Sequence, residues 1–549
     1  MNMIRLNSKK VIQLSLGIAL TLSAACSAVK PVSSRLTVPQ NLNVKNSPLD
    51  KGESENWQHL DLIKDTIPGM SVDRAYEELI RKSPKNQIIV AVLDAGVDLY
   101  HEDLAPVLWS NPGEIAGNNT DNDGNGFVDD VHGYNFLGES YHERLEYTRI
   151  VSLGIGDDAY QQKAKQKLEE ETASAIGTLE RIEELRAVIN LADRTAKELL
   201  GKDDYDPADI QDLKVDDQET QQALSFLSNM LSMSGSLDAV MEDLQGAETY
   251  YSTKFEYHLN LDFDGRSEVG DNPYDYEDRG YGNGNPHIVN KEESHGTHVA
   301  GIIAAGRENN LGIKGIANNV QIMSIRAVPD GDEYDKDIAF GIRYAVDNGA
   351  KIINASFGKG FSPNAEWVYD ALEYAAMNDV LIVHAAGNDG MDLDNPDNPN
   401  FPNDHQFQNG REFVDNVLTV GAIGSQYGPR LVAPFSNYGA KNVDVFAPGA
   451  QVYSTMPDNH YEFQSGTSMA APAVSGVAAL IWSYYPKLTA AQVKKIIMES
   501  GLEVPVQVRL MSNPAKPVTL NEISKSGKIV NAYNALILAR EVAKGKVKL

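Results

Sequence analysis

The chain has 549 residues and a formal net charge of −29, which results from 77 acidic against 48 basic side chains. This length allows one large domain or two to three ordinary ones, with enough residues to bury a sizeable core. The acidic balance excludes nucleic acid as the main partner, because phosphate binding requires a basic surface. We expect a globular protein that acts as a monomer.

The N-terminal residues have the pattern of a secretory signal. Arg5, Lys9 and Lys10 precede an apolar run over residues 11–22. This run is too short to span a membrane as a helix but is typical of the hydrophobic region of a signal peptide. We therefore predict a signal peptide over residues 1–25 and an exported protein.

Cys26 is the only cysteine in the chain and follows three small residues, so no intramolecular disulfide can form. Its position resembles that of a bacterial lipobox, in which the cysteine is lipidated and forms the mature N-terminus, although Ser23 stands where a leucine is usual. The resemblance implies a lipoprotein that is anchored to a membrane through Cys26, in the cell envelope or facing the periplasm, with the polar residues 26–55 as a tether. Cleavage that leaves a free Cys26 thiol is the alternative.

The segment that follows has the alternation of an α/β fold. Short runs rich in Val and Ile predict strands in QIIVAVLDAG, VQIMSIRAV, AKIINASFG, VLIVHAAGN, NVLTVGAI and VDVFAPG. Helical patterns such as DKDIAFGIRYAVDNG and NAEWVYDALEYAAMND lie between them. This order predicts a three-layer fold, a mostly parallel sheet with helices on both faces, over residues 56–140 and 258–545. The functional site is expected at the carboxyl ends of the strands.

Residues 141–257 interrupt this alternation. Strand signals vanish there, and apolar residues recur at spacings of three or four along one predicted helix: Leu179, Ile182, Leu185, Ile189, Ala192, Ala196 and Leu199. Two further helices are predicted, one after Pro207 through Leu231 and one from Leu237 towards Tyr251. We predict an inserted α-helical subdomain, which either packs only on itself or gates and regulates the nearby site.

Three motifs contain candidate catalytic residues. Asp94 ends a predicted buried strand in AVLDAGVDLYHEDL, His295 begins a predicted helix in SHGTHVAGIIAAG, and Ser468 begins another in FQSGTSMAAP. Each has an ordinary structural explanation when taken alone, since Asp and Ser commonly cap helices or turns. A metal site that pairs His295 with His298 is a weak alternative, because the two lack the glutamate and the i, i+4 spacing of a zinc-protease helix.

Taken together, in the chain order Asp, His, Ser, these motifs resemble those of the subtilisin-like serine peptidases, the subtilase family. The resemblance implies a serine endopeptidase in which Ser468 attacks the peptide bond and forms an acyl-enzyme, His295 carries the proton and Asp94 orients His295. Asn388, in HAAGNDG, matches the family's oxyanion-hole asparagine. The resemblance implies that catalysis needs no cofactor.

The resemblance also implies where a peptide would bind. Subtilases hold their peptide or protein substrate as an added extended strand. Two groups of residues match one wall of the cleft and a wall of the S1 pocket: Ser356, Phe357 and Gly358 for the cleft, and Ala385, Ala386 and Gly387 for S1. Because these positions are small or apolar, we expect an uncharged and moderately large P1 side chain.

An acidic loop, DNDGNGFVDD, has part of the pattern of a calcium site. Carboxylate and amide side chains stand at alternate positions, as in the first half of an EF-hand loop, but His132 stands where the bidentate glutamate would be. Subtilases commonly bind structural calcium, and the alternative is a cluster of Asx turns that satisfies itself. The candidate ligands are Asp121, Asp123, Asn125 and Asp129, and a second candidate site consists of Asp262, Asp264 and Asp271.

Two other functions fit the same motifs. A dedicated processing peptidase would act on one partner and would use the helical insertion to recognise it. A non-catalytic peptide-binding lipoprotein would keep the fold without the activity. Loss of a triad residue would favour the second of these, and Asp94, His295 and Ser468 are all present.

Overall fold

The computed structural model describes residues 34–39, 42–45, 47–84, 86–405 and 411–549. Its strands are β1 (Ile88–Asp94), β2 (Gly133–Asn135), β3 (Val320–Arg326), β4 (Ile352–Ala355), β5 (Leu381–Ala385), β6 (Val417–Ile423), β7 (Val445–Pro448), β8 (Val452–Met456), β9 (His460–Gln464), β10 (Leu502–Glu503), β11 (Val508–Leu510), β12 (Asn513–Val518) and β13 (Lys528–Ile529). Nine of them form one sheet in the order β10-β13-β7-β6-β5-β4-β1-β3-β2. Its neighbouring strands are parallel except for β10 and β13.

The α-helices are α1 (Lys51–Asn56), α2 (Val72–Glu78), α3 (Glu146–Leu153), α4 (Asp158–Leu200), α5 (Pro207–Gln211), α6 (Gln218–Ser234), α7 (Leu237–Thr253), α8 (His295–Ala304), α9 (Asp335–Asp347), α10 (Ala365–Met377), α11 (Thr467–Tyr484), α12 (Ala490–Ser500) and α13 (Ala532–Ala543). A π-helix, Lys254–His258, continues α7. Within the described ranges, no helix has both the length and the apolar character needed to cross a membrane.

Helices cover both faces of the sheet. Alternate residues of β1 belong to two different cores, because successive side chains of a strand point to opposite faces. Val90 and Val92 lie in the larger core with α8 and α11, and Ala91 and Leu93 lie in the second core with α9 and α10. The predicted three-layer α/β fold is confirmed, and the six predicted strands are β1 and β3 to β7.

The inserted segment contains α3 to α7. Helix α4 has 43 residues, which corresponds to about 65 Å at 1.5 Å per residue. Its distal half packs against α5, α6 and α7 around a core of its own that includes Ile189, Leu224 and Leu231. Its first half packs with α3 in a separate cluster that reaches Phe361 of the sheet domain. The insertion therefore has its own core and a second contact with the sheet domain.

Two members of the predicted apolar stripe, Leu179 and Leu199, lie outside this core. Leu199 is 49% exposed, whereas Leu200 packs against the cluster that contains Ile189, Ala192 and Ala196. A helix has 3.6 residues per turn, so the buried face shifts along a long helix. At the end of α4 the i+4 neighbour of Ala196 therefore takes the position that we predicted for Leu199.

The prediction of a tether over residues 26–55 is wrong for the residues of this segment that the structure describes. The Leu36 N–H donates to Asn534 Oδ1 over 2.6 Å, and Asn534 Nδ2 donates to the Leu36 carbonyl over 3.1 Å. Leu36 and Leu42 pack against the main core, and α1 begins with a capping box between Asp50 and Glu53. Apolar side chains within a polar segment thus dock it onto the domain. The predicted signal peptide and Cys26 lie outside the described residues.

Candidate active site

Asp94 and His295 form a hydrogen-bonded pair at the end of the parallel sheet. Asp94 is the last residue of β1 and is 1% exposed. Its Oδ1 accepts the Ala95 N–H over 2.8 Å and lies 2.7 Å from Nδ1 of His295, the first residue of α8. Because the carboxylate is an acceptor, Nδ1 carries the proton and Nε2 is left as the basic nitrogen.

The pair sets the protonation behaviour of His295. Burial lowers the pKa of His295, but the charge of the Asp94 carboxylate and its hydrogen bond raise the pKa more, so that it lies above the ordinary value. The His295 side chain is still 37% exposed, and it lines a cavity of 310 Å³ together with Asp94 and Ser356. His295 is therefore a base that solvent and substrate can reach.

Ser468 lies in the first turn of α11, where backbone N–H groups have no partner within the helix. Its Oγ donates to the Ser356 carbonyl over 3.0 Å, and Ser356 Oγ donates to the Ser468 carbonyl over 2.9 Å. The hydroxyl thus points to Ser356, which lines the same cavity as His295. A change of the Ser468 rotamer must precede proton transfer to His295, since catalytic hydrogen bonds often form only in the substrate complex.

Asn388 follows β5 and presents its amide next to Ser468. Its Oδ1 accepts the N–H and the hydroxyl of Thr467 over 2.8 and 3.0 Å, so its Nδ2 points the other way. A Cβ atom at Gly466 would lie 3.4 Å from Asn388 Nδ2 and 3.5 Å from the Ser468 nitrogen. Both N–H groups therefore border one open space, which can hold an oxygen that acquires negative charge.

The six predicted substrate-contact residues follow two neighbouring strands, and the structure brings both groups to the same end of the sheet. Ser356, Phe357 and Gly358 come after β4, and Ala385, Ala386 and Gly387 end β5 and follow it. β4 and β5 are paired in parallel, with Ala355 opposite His384. The two groups therefore lie side by side at the carboxyl end of the sheet, and their roles as walls of a cleft and of an S1 pocket stay predictions.

Two asparagines contribute to this site but were not predicted. Asn400 Nδ2 lies 3.1 Å from the Ala386 carbonyl, and its Oδ1 would lie 2.6 Å from a Cβ atom at Gly358, so Asn400 spans the gap between the walls. Asn437 is buried and donates to the Ala386 carbonyl while it accepts from the Asp389 N–H, which holds the loop of Asn388. No local motif marks either residue in the sequence.

The helical insertion joins the cleft wall through buried charges. Lys359 directly follows Gly358. Its Nζ lies 2.6 Å from Oε2 of Glu146 in α3 and 2.9 Å from Oδ1 of Asp335 in α9. Glu146 is also 2.6 Å from the buried Arg149. These ion pairs lie out of contact with water, where an unpaired charge is strongly unfavourable.

The acidic loop is arranged differently from the predicted calcium site. Asp121 accepts the backbone N–H groups of Gly124 and Gly126, and Asp129 accepts those of residues 118 and 119, as in the Asx-turn alternative. Of the four predicted ligands, only Asp123 belongs to the cluster in which carboxylate oxygens lie within 4.8 Å of one another. The other members of that cluster are Glu114 and Asp130.

The second predicted calcium site is not formed. Asp271 Oδ1 is 2.7 Å from Arg266 Nε, and Asp271 Oδ2 is 2.6 Å from Lys336 Nζ. Two cationic side chains therefore already neutralise this carboxylate. Asp262 and Asp264 are exposed. A carboxylate that is buried between two cations is a poor ligand for a third.

A sheet that ends at a buried aspartate and a histidine base, with a serine in the first turn of a neighbouring helix, has the geometry of a serine peptidase. A sequence profile described as the subtilase family matches residues 85–510. Because this match covers well over half of the chain, the chain belongs to the subtilase family.

Two curated proteins and one solved structure are also similar to parts of this chain. The thermophilic serine proteinase of Bacillus sp. (strain AK1) is 40% identical over 227 residues, which are 41% of this chain and 49% of that protein. Subtilisin DY of Bacillus licheniformis is 39% identical over 201 residues, 36% of this chain and 67% of that protein. A crystal structure of a cold adapted subtilisin-like serine proteinase is 30% identical, with a TM-score of 0.34, over 44% of this chain and 74% of that one. The chain thus spans about half the length of the first of these relatives.

Proposed function

We propose that the protein is a serine endopeptidase that cleaves peptide bonds through an acyl-enzyme on Ser468. The observation that carries this proposal is the contact of 2.7 Å between His295 Nδ1 and the buried Asp94. It fixes the tautomer of a histidine that lines the same cavity as Ser356, the hydrogen-bond partner of Ser468. A serine hydroxyl is a weak nucleophile until such a base accepts its proton.

The geometry supports the following steps. Ser468 Oγ attacks the peptide carbonyl carbon as its proton passes to His295 Nε2, and the carbonyl oxygen becomes an oxyanion that Asn388 Nδ2 and the Ser468 N–H stabilise. The C–N bond then breaks, and the amine leaves with the proton from His295. A water molecule then attacks the acyl carbon and gives a proton to His295; the bond to Ser468 Oγ breaks as His295 passes this proton to Oγ, which releases the carboxylic acid and regenerates Ser468.

A fluorophosphonate probe tests this proposal, because it forms a covalent bond only with an activated serine. We expect the probe to label the parent protein and the Ser465→Ala variant, and not to label Ser468→Ala. Ser465 is a suitable control because it is exposed and lies three positions before Ser468. A parent protein that stays unlabelled would contradict the proposal.

Asn400 restricts the S1 pocket, since its side chain spans the two walls near Gly358 and Ala386. We expect Asn400→Gly to shift the P1 preference towards larger side chains by at least about tenfold in kcat/KM, because the change removes the whole side chain and a single methylene in a pocket already changes discrimination by about 10- to 200-fold. A peptide library that varies only P1 measures the shift. Asn398→Gly is the matched control, because Asn398 bonds to the Asp392 carbonyl instead. An equal shift in both variants would show that loop flexibility, and not the filled pocket, is responsible.

Calcium is part of the proposal, with Glu114, Asp123 and Asp130 as its ligands. Glu114 Oε2 is buried and has no hydrogen-bond partner among the described residues, and burial raises the pKa of Asp130. A bound cation would give Glu114 Oε2 a partner and would stabilise the charged form of Asp130.

We expect chelation of calcium to lower the thermal midpoint of the parent, since a bound ion at 100 times its Kd contributes about 2.7 kcal/mol. Asp123→Asn should abolish this response and Asp121→Asn should retain it. The reverse result would restore the ligand set predicted from the loop pattern.

The protein is further proposed to be exported and anchored through a lipid on Cys26. The support is the basic and then apolar N-terminal pattern followed by small residues and the only cysteine of the chain. Metabolic labelling with palmitate should mark the parent and not the Cys26→Ser variant. Equal labelling of both would exclude Cys26 as the attachment site.

A further inference from the structure

Two histidines and an aspartate meet where the helical insertion joins the cleft. His142 lies at the start of the insertion, His258 at its end, and Asp330 in the loop after β3. His142 Nδ1 is 2.7 Å from Asp330 Oδ2, and His258 Nε2 is 3.3 Å from the same oxygen. One potential ligand atom from each residue thus lies within 4.8 Å of the others. Asp330 also lines the active-site cavity with His295.

His258 is a buried member of this cluster, and within the described part of the chain its Nε2 atom lacks a well-aligned hydrogen bond. It is 7% exposed, and its Nε2, which faces Asp330, makes no hydrogen bond of acceptable geometry among the described residues. A buried polar atom without a partner is unfavourable unless a ligand or ion completes it. With only this poorly aligned contact to Asp330, the nitrogen can still bind a further ligand.

The backbone holds the three residues in place. The Asp330 N–H donates to the Tyr141 carbonyl and the Glu143 N–H donates to the Asp330 carbonyl, each over 2.8 Å, so residues 141–143 pair with Asp330 on both sides. The Leu145 N–H donates to the His258 carbonyl over 3.1 Å. The His142 ring is stacked on Tyr257 at a centroid distance of 3.7 Å. The potential ligands are therefore oriented before any ion binds.

We propose that His142 Nδ1, His258 Nε2 and Asp330 Oδ2 bind a Zn²⁺ ion. Two imidazoles and one carboxylate are a ligand set that Zn²⁺ favours and Ca²⁺ does not. Ligand atoms of a tetrahedral site are about 3.3 Å apart, because zinc bonds of about 2.0 Å meet at the tetrahedral angle. The separation of His258 and Asp330 already has this value, and that of His142 and Asp330 would widen slightly. The fourth position is left to water on the side of the cavity.

Zinc at this position connects three segments that are far apart in the chain. It ties the start and the end of the insertion to the loop that forms one side of the active-site cavity. The role is independent of the catalytic proposal, because none of the three ligands is Asp94, His295 or Ser468. The ion would fix the position of the Asp330 loop relative to the insertion.

Calorimetric titration of the full-length, metal-stripped protein with Zn²⁺ tests the site directly, with excess Ca²⁺ present to occupy the carboxylate cluster of Glu114. We expect one equivalent of Zn²⁺ in the parent and an affinity lower by about 100-fold or more in His258→Gln, since changes even to the surroundings of zinc ligands lower affinity by 10- to 100-fold. His460→Gln, which removes an exposed histidine elsewhere, should bind like the parent.

Two further measurements keep the test decisive if His258→Gln folds poorly. His142→Gln should lose the same affinity, and Co²⁺ bound to the parent should show the intense visible bands of a four-coordinate site. Absence of Zn²⁺ binding in the parent would overturn the proposal. So would an affinity that is the same in the parent, His142→Gln and His258→Gln, because the ion would then be held elsewhere.

Discussion

Replacement of Ser468 with alanine is expected to lower kcat for peptide hydrolysis by about 10⁶-fold. The oxygen that forms the bond to the substrate carbon is lost, and no other hydroxyl replaces it. The residual rate would be that of water attack assisted by Asn388 and the backbone N–H, about 10³- to 10⁴-fold above the uncatalysed rate. Initial rates on a fluorogenic peptide, with a burst phase in the parent and none in the variant, measure the change.

The fold should tolerate this replacement. Ser468 Oγ makes one hydrogen bond, to the Ser356 carbonyl, and the helix position is as favourable for alanine as for serine. The thermal midpoint should therefore match that of Ser465→Ala, which should also keep full activity. A Ser468→Ala variant with more than about one hundredth of the parent kcat would exclude an acyl-enzyme on this residue, since the expected loss is about 10⁶-fold.

Replacement of Asp94 with asparagine is expected to lower kcat by about 10⁴-fold. An amide in place of the carboxylate can donate to His295 Nδ1, which would move the proton to Nε2 and leave no base for Ser468. Because Asp94 also raises the pKa of His295, its removal leaves only the effect of burial, which lowers that pKa. The variant should thus differ from the parent both in rate and in pH dependence.

The pH profile of kcat/KM shows in which direction the pKa of His295 moves in Asp94→Asn. His295 must be neutral to act as a base, so activity falls as the pH drops through its pKa. In the parent this fall should occur above the usual histidine value of about 6.5, and in Asp94→Asn it should move to lower pH. Glu292→Gln is the matched control, because it removes an exposed charge from the same cavity without contact with His295 Nδ1. An equal displacement in both variants would assign the effect to the general charge of the cavity.

The sheet and the candidate triad were predictable because their signals are local. Each buried strand is an apolar run, and Asp94, His295 and Ser468 each stand in a motif beside a strand end or helix start. The structure brings Asp94 and His295 into hydrogen-bond contact and places Ser468 in contact with Ser356, which lines the same cavity. The orientation of the Ser468 hydroxyl towards Ser356 depends on a rotamer, which no sequence pattern specifies.

The remaining site features depend on how loops return, and this information is not local. Asn400 reaches Gly358 and Ala386 because its segment pairs with Lys359, in a loop whose Asn and Pro residues predict only turns. Spacing alone suggested Asp121 as a calcium ligand, but backbone N–H groups use its oxygens, and Glu114 enters the cluster from outside the motif. His142 and His258 come together only because the chain leaves and re-enters the sheet domain at the same place.

The buried position of Lys359 bears on how this protein can be shortened. Deletion of residues 141–257 would remove Glu146 and Arg149 together. The ammonium group of Lys359 would keep Asp335 as its ion-pair partner, but helix α3 would no longer cover it. Excision of the helices would therefore change the protein that remains, next to its own catalytic cleft. In engineering terms the insertion is not a removable module, and a minimal enzyme would need a redesigned residue at position 359.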